Sequence, residues 1–158
     1  MLEHAKANAE ANAAPNLSPR PGRKVAVLSC MDARIAIFPL LGLRRGDAHI
    51  IRNAGGLATD DAIRSLAISQ RVLGTEEIVV VMHEDCGLHG ASEDDFTTQL
   101  HADGAHPSWR MGAFSDIDAT LRSTLQRLRR APELKAHEHI RGFVFDPEDG
   151  ALREVELA

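Results

Sequence analysis

The 158-residue chain contains no tyrosine, only two cysteines and one tryptophan, and its aromatic content is 4%. Without tyrosine no phenol takes part in a reaction, and two cysteines are too few for the disulfide framework of a small secreted domain. No apolar run approaches the length that crosses a bilayer. The net charge of −5 lacks the basic excess of nucleic-acid-binding domains. We therefore expect neither a membrane nor a nucleic acid as a partner.

Residues 1–16, MLEHAKANAEANAAPN, combine alanine with polar side chains. They have no cationic start followed by an apolar core, so we expect no signal peptide and predict a cytoplasmic protein. The proline-rich stretch PNLSPRPG follows. This breaker divides the chain into an N-terminal helical arm over residues 1–20 and one domain over 21–158, which is long enough to bury a core.

Beyond the arm, apolar strand patterns alternate with helix patterns. The predicted strands are KVAVLS (24–29), DAHII (47–51), EEIVVVMH (76–83) and HIRGFVFD (139–146), and the clear amphipathic helices are 59–74 and 115–130. PEDG then leads into a terminal hairpin, whereas residues 100–114 show no periodicity and are expected to form a loop. The fold class is α/β: a mostly parallel central sheet of order 2-1-3-4 plus a C-terminal antiparallel strand, flanked by helices.

Both cysteines lie at the carboxyl ends of predicted strands. Cys30 ends the first strand, His83 ends the third, and Cys86 follows within the next turn. In the order 2-1-3-4 these two strands are neighbours, so the three side chains converge where open parallel sheets bind ligands. Two thiolates and an imidazole suit Zn²⁺ and leave its fourth position open. Two ordinary core cysteines, or a metal-free redox pair, are the alternatives.

Asp32 and Arg34 follow Cys30 at alternate positions in VLSCMDAR. The stretch by itself allows two interpretations. Asp32 and Arg34 form a local ion pair beside a buried thiol, or all three side chains belong to one reactive site.

The motifs CMDAR (30–34) and HEDC (83–86) resemble the paired signature of the β-class carbonic anhydrases, and the likeness is greatest to the short bacterial branch. It extends through residues 46–56, 60–74 and 141–150. The resemblance implies one Zn²⁺ per chain on Cys30, His83 and Cys86, with water or hydroxide as the fourth ligand. It also implies an Asp32–Arg34 dyad, and a homodimer or a multiple of dimers in which the arm packs across the partner.

The implied activity is the reversible hydration of carbon dioxide to bicarbonate and a proton by zinc-bound hydroxide. Asp32 would accept a hydrogen bond from that hydroxide, or it would become the fourth zinc ligand in a closed state, with Arg34 deciding between the two. Gly55, Gly56 and Gly87 are candidates for letting the main chain approach the substrate, although each could simply form a turn.

The chain departs from the family pattern in three places. It has no tyrosine, residues 21–29 contain no glutamine, and Glu84 stands where many relatives have threonine. These departures concern the substrate more than the zinc ligands. Carbonyl sulfide hydrolysis at the same site is therefore an alternative, and a non-catalytic zinc-binding member of the family is a third.

Overall fold

The computed structural model describes residues 1–157, which form a five-stranded sheet of order β2-β1-β3-β4-β5. The strands are β1 (Val25–Cys30), β2 (Ala48–Asn53), β3 (Glu77–His83), β4 (Ile140–Phe145) and β5 (Leu152–Glu154). The pairs β1–β2, β1–β3 and β3–β4 are parallel, and β4–β5 is an antiparallel hairpin. The predicted mostly parallel sheet of order 2-1-3-4 with a C-terminal antiparallel strand is confirmed.

Within residues 1–157 a short 3-10 helix (Ala54–Gly56) and six α-helices accompany the sheet: α1 (Leu2–Ala7), α2 (Ala9–Asn12), α3 (Ile37–Leu40), α4 (Asp60–Arg71), α5 (Glu93–Ala102) and α6 (Ile117–Arg130). The two long amphipathic helices begin at side-chain caps. Thr59 accepts from the main-chain N–H of Ala62, and Asp116 accepts from that of Ala119. Such caps pair N–H groups that the first helical turn leaves free. No helix in residues 1–157 is long and apolar enough to cross a membrane.

Helices α4 and α6 lie on the same face of the sheet and bury the larger core, which contains Leu66, Leu121 and Leu125. The short α3 lies on the opposite face with Ile37 in a smaller core that also contains both cysteines. This division follows from right-handed crossovers. The β1-to-β2 connection leaves in one direction and the later parallel connections leave in the other, which puts the switch point between β1 and β3.

Helix α5 covers residues 93–102, so the segment expected as a loop over residues 100–114 becomes irregular only after Ala102. Ser92 caps this helix at the N–H of Asp95 (3.1 Å). The carboxylate of Glu93 then accepts main-chain hydrogen bonds from Met111 (2.6 Å) and Gly112 (3.1 Å). The first turn of α5 therefore fixes the end of the irregular segment.

Candidate metal centre

The register of the sheet brings the ends of β1 and β3 together. Ser29 pairs with Val81, so Cys30 and His83 leave neighbouring strands at the same edge. A turn through Asp85, whose φ is +51°, returns Cys86 to them. The sulfur atoms of Cys30 and Cys86 are 4.0 Å apart, and the ligand atoms of both cysteines and His83 all lie within 4.8 Å of one another. No other set of three such side chains converges in this way in the described part of the chain.

His83 is 1% exposed, and its ring is fixed by one hydrogen bond. Nδ1 lies 2.8 Å from the main-chain carbonyl of Glu84, which can only accept, so Nδ1 carries the proton and Nε2 carries the lone pair. That Nε2 is buried and has no hydrogen-bond partner among residues 1–157. An unpaired buried nitrogen is costly unless something binds it. The nitrogen and the two nearby thiols together form a donor set that fits Zn²⁺.

The pKa values of the two thiols shift in opposite directions because the thiols lie close together in a buried site. Burial works to raise the pKa of Cys30, but the neighbouring His83 and the main-chain groups of Asp32 and Gly55 lower it to about 7. Burial and the nearby Cys30 raise the pKa of Cys86 above its usual value. One thiolate is therefore readily available near neutral pH, and a bound cation would stabilise the second.

Asp32 lies beside the three ligands in a two-pronged ion pair. Arg34 donates from Nε to Oδ1 (3.0 Å) and from Nη2 to Oδ2 (2.9 Å), and its main-chain N–H also donates to Oδ1 (2.9 Å). These hydrogen bonds hold the pKa of Asp32 well below its usual range, so the carboxylate is ionised. Asp32 Oδ2 is 3.7 Å from His83 Nε2, yet Asp32 is not one of the three converging ligands. The structure thus has Asp32 paired with Arg34.

A cavity of about 310 Å³ opens on this group. Its lining residues are Cys30, Met31, Asp32, Ala54, Gly55, Cys86, Gly87 and Leu88. Two of the three glycines singled out in the sequence, Gly55 and Gly87, therefore line it. Gly56 lies behind it at φ +67°, where a Cβ would be 3.0 Å from the main-chain nitrogen of Cys30. Gly56 is required for close packing of the main chain at the end of β1.

Sequence reasoning missed two residues that hold the ligand segments. Arg52 of β2 donates to the carbonyls of Cys30 (3.0 Å) and Asp32 (2.6 Å). Asp85 accepts hydrogen bonds from Arg34 at its carboxylate (2.8 Å) and at its main-chain carbonyl (2.9 Å). A charged residue at the end of an apolar strand was the available signal for Arg52. The contact of Arg34 with Asp85 forms only in the folded turn, and no sequence signal indicated it.

A sequence model described as carbonic anhydrase matches residues 25–140. β-Carbonic anhydrase 1 of Mycobacterium tuberculosis is 44% identical over 136 residues, covering 85% of this chain and 83% of that protein. The chain belongs to the β-carbonic anhydrase family. The predicted resemblance is thereby confirmed. Zinc is the cofactor of this family, and Cys30, His83 and Cys86 are positioned to hold it.

The β-carbonic anhydrase fold extends over nearly the whole chain. A crystal structure of carbonic anhydrase from Streptococcus mutans superposes with a TM-score of 0.89 at 39% identity, covering 98% of this chain and 95% of that one. A carbon disulfide hydrolase of Acidithiobacillus thiooxidans is 36% identical over 152 residues, with 83% of this chain and 76% of that protein covered. Relatives with two different named activities therefore match most of this chain.

Proposed function

We propose that this protein catalyses the reversible hydration of carbon dioxide to bicarbonate and a proton, using one Zn²⁺ held by Cys30, His83 and Cys86. The observation that carries the proposal is the buried cluster of two thiols and an unpaired imidazole nitrogen beside an ionised carboxylate. Three protein ligands leave one position open for chemistry, as catalytic zinc sites do.

When bound, the ion lowers the pKa of water from about 15.7 towards roughly 7 and so supplies hydroxide near neutral pH. Asp32 is too acidic to take up a proton there, so its role is to accept a hydrogen bond and orient the attacking oxygen. Its Oδ1 accepts two hydrogen bonds from Arg34, whereas Oδ2 accepts one within the described residues and keeps a lone pair free. Arg34 thereby leaves one carboxylate oxygen free to accept a hydrogen bond in the site and competes with the metal ion for the carboxylate.

The substrate is a small, uncharged, linear molecule. Met31, Ala54 and Leu88 give the cavity apolar walls, and Gly55 also lines it. These walls suit carbon dioxide, and they also suit carbonyl sulfide, the alternative predicted from the sequence. The relative named as a carbon disulfide hydrolase supports testing sulfur-containing analogues. Carbon dioxide is preferred because the 44% identical relative is a carbonic anhydrase.

The test is metal analysis combined with hydration assays on purified protein. We expect one zinc per wild-type chain and rapid carbon dioxide hydration, and loss of both in Cys30→Ser. His101→Gln changes an exposed histidine of α5 and serves as the matched control that keeps both. Assays with carbon dioxide and carbonyl sulfide side by side decide the substrate.

Metal-free wild-type protein would contradict the whole proposal. A full zinc content without turnover at any pH would instead support the third possibility, a non-catalytic zinc-binding protein.

We further propose that the chain forms a homodimer or a multiple of dimers, with the arm over residues 1–20 packed on the partner. Helices α1 and α2 bury no residue on their own chain. Partly buried apolar side chains pack against the smaller core on the sheet face opposite α4 and α6, among them Leu41 and Leu43 after α3 and Ile50 of β2. A second chain would cover such surfaces. Light scattering should give at least twice the 17.2 kDa chain mass, and a monomer would contradict the proposal. The cytoplasmic location stays a prediction.

A further inference from the structure

Glu84 lies between the two ligands of HEDC and is anchored at its main chain. Its N–H donates to the carbonyl of Phe145 (2.9 Å), which continues the pairing of β3 with β4. Its carbonyl accepts a hydrogen bond from His83 Nδ1 (2.8 Å). The carbonyl of the Glu84–Asp85 peptide therefore sets which nitrogen of His83 faces the two thiols.

The side chain of Glu84 is held by an arginine from the far edge of the sheet. Arg153 of β5 donates from Nη2 to Glu84 Oε1 (3.0 Å) and to Asp118 Oδ1 of α6 (2.6 Å). The hydrogen bond from Arg153 is the main reason that the pKa of Asp118 lies below its usual range. One guanidinium thus joins the C-terminal hairpin and α6 to the turn that carries His83 and Cys86.

We propose that Arg153 is a positioning residue for the metal centre, acting through Glu84 on the ring of His83. Hydrogen bonds at the main-chain N–H and at the side chain restrict the motion of Glu84, which keeps its carbonyl directed at His83 Nδ1. The His83 ring then stays aligned with the thiols of Cys30 and Cys86. The inference rests on the proposed zinc site and adds Arg153, a residue outside the two ligand motifs, to those that position it.

The hairpin provides a matched control for this idea. Arg141 of β4 forms a two-pronged pair with Glu154 of β5 (2.7 and 2.7 Å) and does not contact the ligand turn. Arg141→Met removes the same charge and breaks the ion pair that joins the two hairpin strands, whereas Arg153→Met leaves that pair in place. A loss of hairpin stability would appear in both variants, whereas a loss of His83 positioning would appear only in the second.

The experiment measures the rate at which zinc-loaded protein gives up its metal to the chelating dye 4-(2-pyridylazo)resorcinol. We expect Arg153→Met to lose zinc about threefold to tenfold faster than wild type, below the roughly 10- to 100-fold typical of groups that contact a ligand directly. Arg141→Met should stay within about twofold of wild type, as expected for an exposed ion pair. Arg153→Lys, which keeps the charge, should recover most of the retention.

Two further variants test whether Arg153 acts on His83 through Glu84. Glu84→Ala should match Arg153→Met, and the double variant should lose zinc no faster than either single one because both changes break the same link. Equal rates for Arg153→Met and Arg141→Met would overturn the inference. So would an Arg153→Met effect that persists in full on the Glu84→Ala background, since the link would then run through Asp118. Wild-type protein that takes up no zinc would instead overturn the proposed function.

Discussion

Gly56 provides the sharpest test of how the end of β1 is built. It is buried at φ +67°, and a Cβ there would lie 3.0 Å from the nitrogen of Cys30, 3.2 Å from the carbonyl carbon of Ser29 and 3.2 Å from the carbonyl oxygen of Val81. All three neighbours are main-chain atoms of β1 and β3. They cannot move without shifting the strands that carry the metal ligands, so Gly56→Ala should destabilise both the fold and the site.

The expected loss has two parts. A left-handed conformation costs an L-residue roughly 1–2 kcal/mol relative to glycine. Forcing a methyl group against the main chain adds about 1–3 kcal/mol. Alanine also restricts the unfolded chain, which returns about 0.4–1 kcal/mol. We therefore expect Gly56→Ala to lower the free energy of unfolding by roughly 1–5 kcal/mol.

Gly74→Ala is the control because Gly74 has φ +79° but no atom within 4 Å of the place that an added methyl group would occupy. It should lose only about 1 kcal/mol. Urea unfolding at one fixed protein concentration measures both variants, since an oligomer's stability depends on concentration. Metal analysis of the folded Gly56→Ala protein should also show reduced zinc retention. Equal destabilisation by the two substitutions would refute the close-packing argument.

Two other predictions concern carboxylates. Asp32→Asn should keep its zinc but lower the rate of carbon dioxide hydration on the order of 10²-fold, because the amide loses the charge that Arg34 orients. Stopped-flow hydration with metal analysis checks this, and an unchanged rate would remove Asp32 from the mechanism. For Glu93, burial works to raise the pKa, but main-chain N–H groups of Met111, Gly112 and Ala113 outweigh it and hold the pKa below 4.5. The charged form therefore stabilises the fold above pH 4.5, and this contribution is lost as the pH falls through the lower folded-state value. Glu93→Gln should have a lower Tm than wild type at about pH 7 and the same Tm in strong acid; a difference independent of pH would contradict this.

The strands and helices with a regular apolar pattern were predictable from the sequence. The apolar runs of β1 and β3 indicated buried parallel strands, and the amphipathic spacing of α4 and α6 indicated their helices. Helix α5 was not predicted, because it buries no residue and its pattern carries no apolar stripe. Only its capping serine and acidic first turn marked its start.

The candidate metal centre likewise has residues that the sequence predicts and contacts that it does not. Cys30, His83 and Cys86 were predictable because strand ends in a parallel sheet share one edge. The contacts of Arg52, and those of Arg153 with Glu84, could not be predicted, since long flexible side chains reach partners that only the folded surface selects. Their sequence separations of about 20 to 70 residues leave no local pattern to detect.

The placement of Cys30 and His83 on separate strands has a consequence for the order of folding. Between them lie β2 and α4, so a loop of about fifty residues must close, and β1 must pair with β3, before a metal ion can contact both. Only His83 and Cys86 are close enough in sequence to meet an ion in the unfolded chain. Zinc cannot nucleate this fold as it does in small zinc fingers. Metal uptake is instead a late step, and protein made without zinc should collapse, form its sheet and accept the ion afterwards.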